Sequence, residues 1–494
     1  MSDSDVIRVQ VLVAGAGPAG LVTAIILAKY NVDVLVVEKR VELSSLSRSL
    51  VVSTRSMEIL RSWGIEDQVR AGSADVTPRG WVTHTLASRQ GREIPLGHPT
   101  GAQAAKVSPC QPAWTPQDHL EPLLLELLHD APGVEVKFGC ELVSLRQNND
   151  KVRATLSGSG PGRTREVEAL YLVGADGAHS TVREHLGIHL EGPGALAEHQ
   201  SIQFRAPLFE VVGDRRYGIN VITHPEAAGT LAPRGPNDRW HYGKLWRPGQ
   251  ARLVDCSSEQ HARLIATAVG VPSLRPHIER VSSYSAAAQI ADRYRERRGI
   301  LVGDAAHRMT PRGGTGMNTA IQDAHDLAWK LAWVLRGWAQ PSLLDSYETD
   351  RRPVGLHNVT RSADPNGAQR QAEEALVWDL NGRLPHRWVL RGRRTVSTLD
   401  LLGSGLTLLA GPDCPGSTQM AAMLSTRTPV AVHILDRFTA HELGIPVEGA
   451  ILVRPDAHRL LGWPPGGESL PDSAKAILKP NSRNGQRDSV NART

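Results

Sequence analysis

The chain opens with hydrophobic positions in nearly continuous runs. Residues 8–14, Arg-Val-Gln-Val-Leu-Val-Ala, read as a buried strand, residues 18–30 as an apolar helix, and residues 32–38, Val-Asp-Val-Leu-Val-Val-Glu, as a second strand. Strands that are apolar on both faces belong to parallel sheets covered by helices, so this spacing predicts a β-α-β unit at the start of a doubly wound nucleotide-binding fold. A helix is predicted over 116–130, with Leu120, Leu123, Leu124, Leu127 and Leu128 on one face, and strands at 134–138, 151–156 and 166–173.

The pattern changes over 195–285. Short alternating pieces at 201–205, 217–223 and 240–245, punctuated by Pro and Gly, predict an inserted antiparallel sheet. A strand at 299–302 and a helix at 319–337 then restore the first pattern, with Ile321, Ala324, Leu327, Ala328, Leu331 and Leu335 on one helical face. After Pro365-Asn366-Gly367 the pattern loosens, and strands at 396–400, 406–410, 431–435 and 450–453 predict a small separate α/β unit. The fold class is therefore α/β. Residues 1–75, 108–192 and 286–365 are expected to form a Rossmann-like nucleotide-binding domain, and 76–107 with 193–285 an inserted domain. The small unit spans 385–474, and 475–494, polar and aperiodic, is expected to be a disordered tail.

Composition narrows the function classes. Among 494 residues, 56 Lys+Arg against 51 Asp+Glu give a net charge of +5 without a basic run, so no nucleic-acid partner is indicated. Cys110, Cys140, Cys256 and Cys414 form no C-x-x-C pair, which argues against a metal or dithiol centre and for a reduced, cytoplasmic setting. Residues 11–28 carry no charge, but Gly15, Gly17, Pro18 and Gly20 interrupt them, so a strand-turn-helix reading replaces a membrane span. The polar start of the chain has no signal-peptide character.

The candidate chemistry begins at Gly15-Ala16-Gly17-Pro18-Ala19-Gly20, between the first strand and the first helix. Gly15 permits the tight turn, Gly17 the approach of a pyrophosphate, and Gly20 close helix–strand packing; the helix N-terminus then faces the phosphates. Glu38 ends the second strand, where a carboxylate can accept ribose hydroxyls. An ordinary glycine turn would not bring both strands, the helix and the acid together, yet the motif alone does not choose between NAD and FAD. Two later blocks do: Leu172-Val-Gly-Ala-Asp176-Gly177, leading to Arg183, and Val302-Gly-Asp304, leading to Pro311-Arg312-Gly313-Gly314-Thr315-Gly316-Met317-Asn318. Each puts a carboxylate just beyond a buried strand, and the glycine run frees N–H groups at a helix start, an anion site suited to a reduced flavin.

In this order and spacing the three blocks resemble the class A flavoprotein monooxygenases, the p-hydroxybenzoate-hydroxylase-like family, over residues 8–360. The C-terminal strands, with Leu452-Val-Arg-Pro-Asp456, resemble the thioredoxin-like tail of bacterial aromatic-polyketide hydroxylases, here without a C-x-x-C and so structural or dimerising rather than redox-active. The resemblance implies an FAD-binding domain, an inserted substrate domain and a thioredoxin-like domain. It assigns Glu38, with Lys39 beside it, to the adenosine ribose, Arg48 and Gln117 to the FAD phosphates, and Leu142 to an adenine contact. Asp176 would serve FAD and NAD(P)H, Asp304 would stand near the ribityl chain, and Gly316, Met317 and Asn318 along the flavin's pyrimidine edge. Pro311 and Arg312 are the substrate-facing candidates; no catalytic residue is assigned, and Arg308 and Arg312 are read as solvated rather than as steering an anionic phenolate.

The implied reaction is hydroxylation of a phenolic, polycyclic aromatic polyketide in antibiotic biosynthesis, with NADPH or NADH and O2 consumed through a flavin C4a-hydroperoxide. Baeyer–Villiger oxygenation, a flavin-dependent reductase or halogenase, and a protein holding FAD only as a structural ligand are the alternatives. Partners are a small aromatic substrate and O2, without membrane or nucleic acid, in a monomer or homodimer. His84, His98, His224 and His241 lack metal-ligand spacing and receive no role; Trp81, Tyr217, Trp240 and Trp246 are read equally as pocket lining or core. Because every cofactor motif precedes residue 325, removal of 385–494 is expected to leave FAD binding intact.

Overall fold

The computed structural model describes residues 6–46, 49–158, 164–425, 428–463 and 472–478. An eight-stranded sheet carries the order Arg295–Glu296, Gly299–Leu301, Thr164–Gly174, Ile7–Ala14, Val34–Glu38, Val134–Phe138, with Glu141–Gln147 and Val152–Ser157 attached as an antiparallel flap on Thr164–Gly174. The strands Gly299–Leu301, Thr164–Gly174, Ile7–Ala14, Val34–Glu38 and Val134–Phe138 pair in parallel. Register aligns Ala14 with Val37 and Gly174, and Gly174 with Leu301, so four strands reach their carboxyl ends together. That common edge is where an open α/β sheet meets its ligands. The helix Pro18–Lys29, apolar but for Thr23 and its last residue Lys29, packs against Gly316–Leu335, which explains why its sequence shows no polar stripe.

A seven-stranded sheet brings 77–95 together with 197–286, in the order His277–Ala286, Ala197–Arg205, Arg239–Trp246, Gly229–Pro233, Tyr217–Ile222, Thr77–Thr83, Gly91–Pro95. It is antiparallel except for one parallel pair, Tyr217–Ile222 on Thr77–Thr83, the junction where the two chain segments meet. One face buries Ile202, Phe204, Leu231, Trp240 and Tyr242 beneath the helix Ser258–Val269. The alternate residues make a polar face, described below.

The C-terminal sheet runs Val430–Ile434, Leu406–Ala410, Ala450–Val453, Arg459–Trp463. Its strands feed two cores at once: Leu406, Leu408, Ala450 and Leu452 join the main core, and Leu409, Ile451 and Val453 a second one. The segment 396–400 is not one strand. Strand Arg394–Ser397 gives way to a turn of 3-10 helix, Thr398–Leu401, because Ser397 and Asp400 cap each other's backbone N–H groups reciprocally. Helix Asp472–Leu478 enters the segment expected to be a disordered tail from residue 475: Ala474, Ala476 and Ile477 are buried, a spacing too apolar on one side to stay in water. Residues 479–494 lie outside the described residues. No described helix is long and apolar enough to cross a membrane.

Candidate active site

At the carboxyl edge of the first sheet, Gly15 has φ +105°, and a Cβ there would lie 2.3 Å from the carbonyl oxygen of Ala175. A Cβ on Gly20 would meet the Gly15 carbonyl at 1.9 Å, whereas one on Gly17 would stand in open space. Gly15 and Gly20 thus serve the turn itself, and Gly17 leaves room for something outside it. Pro18 occupies the first helical position, Gly17 offers no side-chain cap, and the N–H groups of Gly17, Ala19 and Gly20 have no partner among the described residues. Glu38 is almost fully buried; its carboxylate accepts from the Ala16 N–H at 2.9 Å and the Arg40 N–H at 3.0 Å. It therefore fixes the glycine turn to the second strand while retaining lone pairs toward the cleft.

The two later carboxylates differ in use. Asp176 turns back on its own chain, accepting from the Ser180 hydroxyl and, at 3.0 Å, from the Val182 N–H, so that it caps the short helix Thr181–His185. Burial pushes its carboxyl above the usual range. Arg183 from that helix donates to the Ala305 carbonyl at 3.1 Å and ties this block to the next. Asp304 sits exposed on the single turn Gly303–Ala305, just past strand Gly299–Leu301. Beneath it Asp323 is fully buried. Burial alone would raise its carboxyl, but His307 and Arg351, the latter at 2.8 Å, hold it below the ordinary range and pin the turn to the long helix.

The glycine run reaches the helix Gly316–Leu335 through positive φ at Gly313 and Gly314. Thr315 stands at the N-cap but its hydroxyl caps nothing, and the N–H groups of Gly316, Met317 and Asn318 have no hydrogen bond within the described chain. The Asn318 side chain is committed elsewhere: its Oδ1 accepts from the Ser53 N–H at 2.8 Å, and its Nδ2 donates to the Val51 carbonyl at 3.0 Å. Three free backbone donors, a helix dipole and a backbone wall at 51–53 make one anion-accepting edge.

Across from it lies the polar face of the seven-stranded sheet. Alternation along Ala197–Arg205 puts His199, Ser201 and Gln203 on that face, and register adds His241, Ser282 and Tyr284. Ser201 and Gln203 are buried, and His199 stacks on Tyr284 with ring centroids 5.4 Å apart. Burial, then the charge of Arg312, pushes His199 down to about 4; burial, Arg234 and His199 do the same for His241. Both imidazoles are neutral at neutral pH. Arg280 donates to Ser45 at 2.6 Å, joining this sheet to the loop after Glu38. A polar sheet face that is buried at Ser201 and Gln203 and opens through half-buried His199 and His241 to exposed Tyr284 has the character of a binding wall.

Sequence reasoning missed His199, Gln203 and Tyr284 and gave His241 no role. Their signal was the alternation of polar with apolar residues along 197–205. The tempting aromatics lie elsewhere: Trp240 is core against Phe209, Trp81 stacks on Tyr217 at 5.1 Å, and Trp246 bonds the Gln250 carbonyl. Arg312 is half-buried and donates to the Ala363 carbonyl at 3.2 Å, closing the end of helix Asp345–Ala363, while Pro311 is exposed. Arg308 donates to Gln289 at 3.0 Å. Gln117 begins the helix Gln117–His129 and gives its side-chain N–H to Glu121 at 2.7 Å. Leu142 is a buried strand residue beside a register shift, Lys39 is exposed, and Arg48 lies outside the described residues. No group of His, Cys, Asp and Glu among the described residues could hold a metal ion.

Open space above Gly17, Gly177 and Gly316, with unsatisfied N–H groups at two helix starts, fits a dinucleotide with an anionic ring system. The family profile described as "FAD binding domain" matches residues 8–362. The chain belongs to that family. It is an FAD-dependent monooxygenase, and FAD is its cofactor. It is similar to aklavinone 12-hydroxylase RdmE of Streptomyces purpurascens, at 35% identity over 95% of this chain and 97% of that one. Tetracenomycin A2 monooxygenase-dioxygenase of Streptomyces glaucescens is 32% identical over 96% of both chains. A crystal structure of aklavinone-11 hydroxylase with FAD and aklavinone superimposes with a TM-score of 0.83 at 32% identity, covering 97% of this chain and 98% of the other.

Proposed function

We propose that this monooxygenase hydroxylates a polycyclic phenolic polyketide lying between the Gly313–Asn318 run and the polar sheet face, with NAD(P)H as reductant. The observation that carries this reading is the pairing of free donors at Gly316, Met317 and Asn318 with a polar wall of buried Ser201 and Gln203 and half-buried His241. One side suits the charged edge of a flavin; the other suits the hydroxyls and carbonyls of a flat aromatic ring system.

In this reading Gly15, Gly17 and Gly20 accommodate the FAD pyrophosphate at the first helix, and Glu38, with Lys39 at its rim, holds the adenosine ribose. Arg48 and Gln117 serve the phosphates, the Leu142 backbone the adenine, Asp304 the ribityl chain, and Gly316, Met317 and Asn318 the pyrimidine edge. Asp176 acts by shaping its loop, since its carboxylate is committed to Ser180 and Val182. When bound, FAD supplies the transfer of electrons to O2 and hence the reactive oxygen atom. The residues do the rest. Neutral His199 and His241 can each accept a hydrogen bond from a phenolic hydroxyl, which enriches the ring in electrons, and Ser201 and Gln203 fix its orientation. The nucleotide-binding, inserted and C-terminal domains divide near the positions read from the sequence, with helix Asp472–Leu478 carrying the last past residue 474, in a monomeric or homodimeric cytoplasmic enzyme.

Incubation with NADPH, aklavinone or a tetracenomycin aglycone, and 18O2 tests the reading. Product heavier by one 18O atom supports it; oxygen arriving from labelled water instead contradicts it.

A further inference from the structure

Two arginines lie behind the Gly313–Asn318 run without an ion-pair partner among the described residues. Arg361, on helix Asp345–Ala363, lies across Gly313, where a Cβ would come within 2.1 Å of its Nη1, and donates to the Thr315 hydroxyl at 2.8 Å and the Gly367 carbonyl at 2.6 Å. Arg370 lies across Gly97 in the same way, with Nε 2.2 Å from the position of a Cβ. Neither forms an ion pair among the described residues, and the Nε of each is buried without a hydrogen-bond partner. Asp379 and Glu374 act on Arg370 only from beyond ion-pair distance, and Asp379 already accepts from Ser53, Gln322 and the Arg55 N–H.

Arg370 and Thr315 line one cavity together with Gly97, His98, Gly314 and Trp378. Burial and the two guanidinium charges push His98 down to about 3, so it brings no charge, and burial followed by Arg370 pushes Arg361 down to about 9. A cation held this far from its ordinary value lacks an anion. The hydrogen bond from Arg361 also engages the hydroxyl at the N-cap, which caps none of the N–H groups of Gly316, Met317 and Asn318.

We propose that Arg361, backed by Arg370, is a positioning residue that makes the helix start at Thr315 more positive and so raises the reduction potential of the bound FAD. The inference rests on the reading that the pyrimidine edge faces Gly316–Asn318. Two-electron reduction leaves negative charge on that edge, and this charge is the counter-ion that Arg361 lacks.

The test is the midpoint potential of the full-length holoenzyme. Arg361→Met is expected to shift the equilibrium at least tenfold toward oxidised flavin, a fall of about 30 mV or more for a two-electron couple. Arg361→Lys keeps the charge and is expected to restore most of it, and Arg370→Met to lower the potential by a smaller step. An unchanged potential in flavin-bound Arg361→Met, or an equal fall in Arg361→Lys, overturns the proposal. Should Arg361→Met lose its flavin, an unshifted Arg370→Met overturns it instead. FAD titration of Gly316→Leu, whose side chain enters the open space beside the three backbone donors, separates the two readings. Unaltered affinity and flavin spectrum there overturn the placement and the proposal with it, whereas weakened FAD with flat potentials in the arginine variants overturns the proposal alone.

Discussion

Arg383 and Glu58, 325 residues apart in the chain, meet in a fully buried two-pronged ion pair, with Arg383 Nε donating to Glu58 Oε2 at 3.0 Å and Nη2 to Oε1. Arg55 donates to the same carboxylate at 2.9 Å, and its other end to the Asp456 carbonyl at 2.8 Å. The helix Thr54–Arg61, which starts at the backbone wall of the site, is thereby fastened to the C-terminal segment. Glu58→Ala strands two buried cations and is expected to cost about 3–5 kcal/mol, read as a lower denaturant midpoint. Burial alone would raise the Glu58 carboxyl, but Arg383 and Arg55 hold it below its ordinary value. This stabilisation is present above the unfolded carboxyl pKa of about 4.3 and is lost as pH falls through the lower folded value. In acid titrations the wild type is expected to lose more stability than Glu58→Ala.

Removal of residues 385–494 spares every cofactor motif, but the packing sets its cost in stability. Arg454 reaches Asp350 at 3.1 Å and Asp456 at 2.7 Å beside the buried Lys330–Asp326 pair, and Ser404 accepts from Tyr30 at 2.7 Å. Truncation at 385 exposes one face of the main core and leaves Asp350 without its arginine. The truncated chain is expected to be insoluble or to melt well below the full chain; a soluble, flavin-binding fragment with an unchanged melting temperature would contradict this.

Two glycines of one turn should fail differently. Gly15→Ala puts a Cβ into the Ala175 carbonyl at a left-handed φ, a strain of about 1–2 kcal/mol before the clash is counted, and should lower Tm. Gly17→Ala fills open space, so Tm should hold while FAD binds about tenfold or more weakly. Equal Tm losses in both variants would remove the cradle from Gly17.

Much of this was legible in the sequence because parallel strands and glycine turns write themselves into it. The run 32–38 has no polar face to misread, and the glycines at 15, 17 and 20 have few other uses in such a place. The binding wall was harder to read. His199, Gln203 and His241 became a surface only when strands Ala197–Arg205 and Arg239–Trp246 paired in register, which no local pattern specifies. Trp240 could be read equally as pocket lining or core because aromatic identity does not reveal which face of a strand it occupies. The Glu58–Arg383 pair escaped notice because its partners lie 325 residues apart, and the local pairs Lys330–Asp326 and Arg454–Asp456 because spacing alone does not reveal burial.

Asp304 and Arg312 stand in the same block and are expected to part in function. Asp304→Ala removes an exposed acceptor at the cofactor cleft and should cost on the order of 1–3 kcal/mol of FAD affinity, tenfold to more than a hundredfold. Arg312 is bound to the end of helix Asp345–Ala363 and faces His199, so Arg312→Ala should leave FAD affinity nearly unchanged and shift the acid limb of turnover. Losing flavin in Arg312→Ala but not in Asp304→Ala would reverse the placement of this block.

FAD titration of the purified full-length protein, followed by flavin absorbance and by release on denaturation, tests the central claim most directly. The account predicts a yellow protein that binds one FAD per chain and frees it intact on unfolding. A folded protein that stays colourless and gains no flavin absorbance would contradict it.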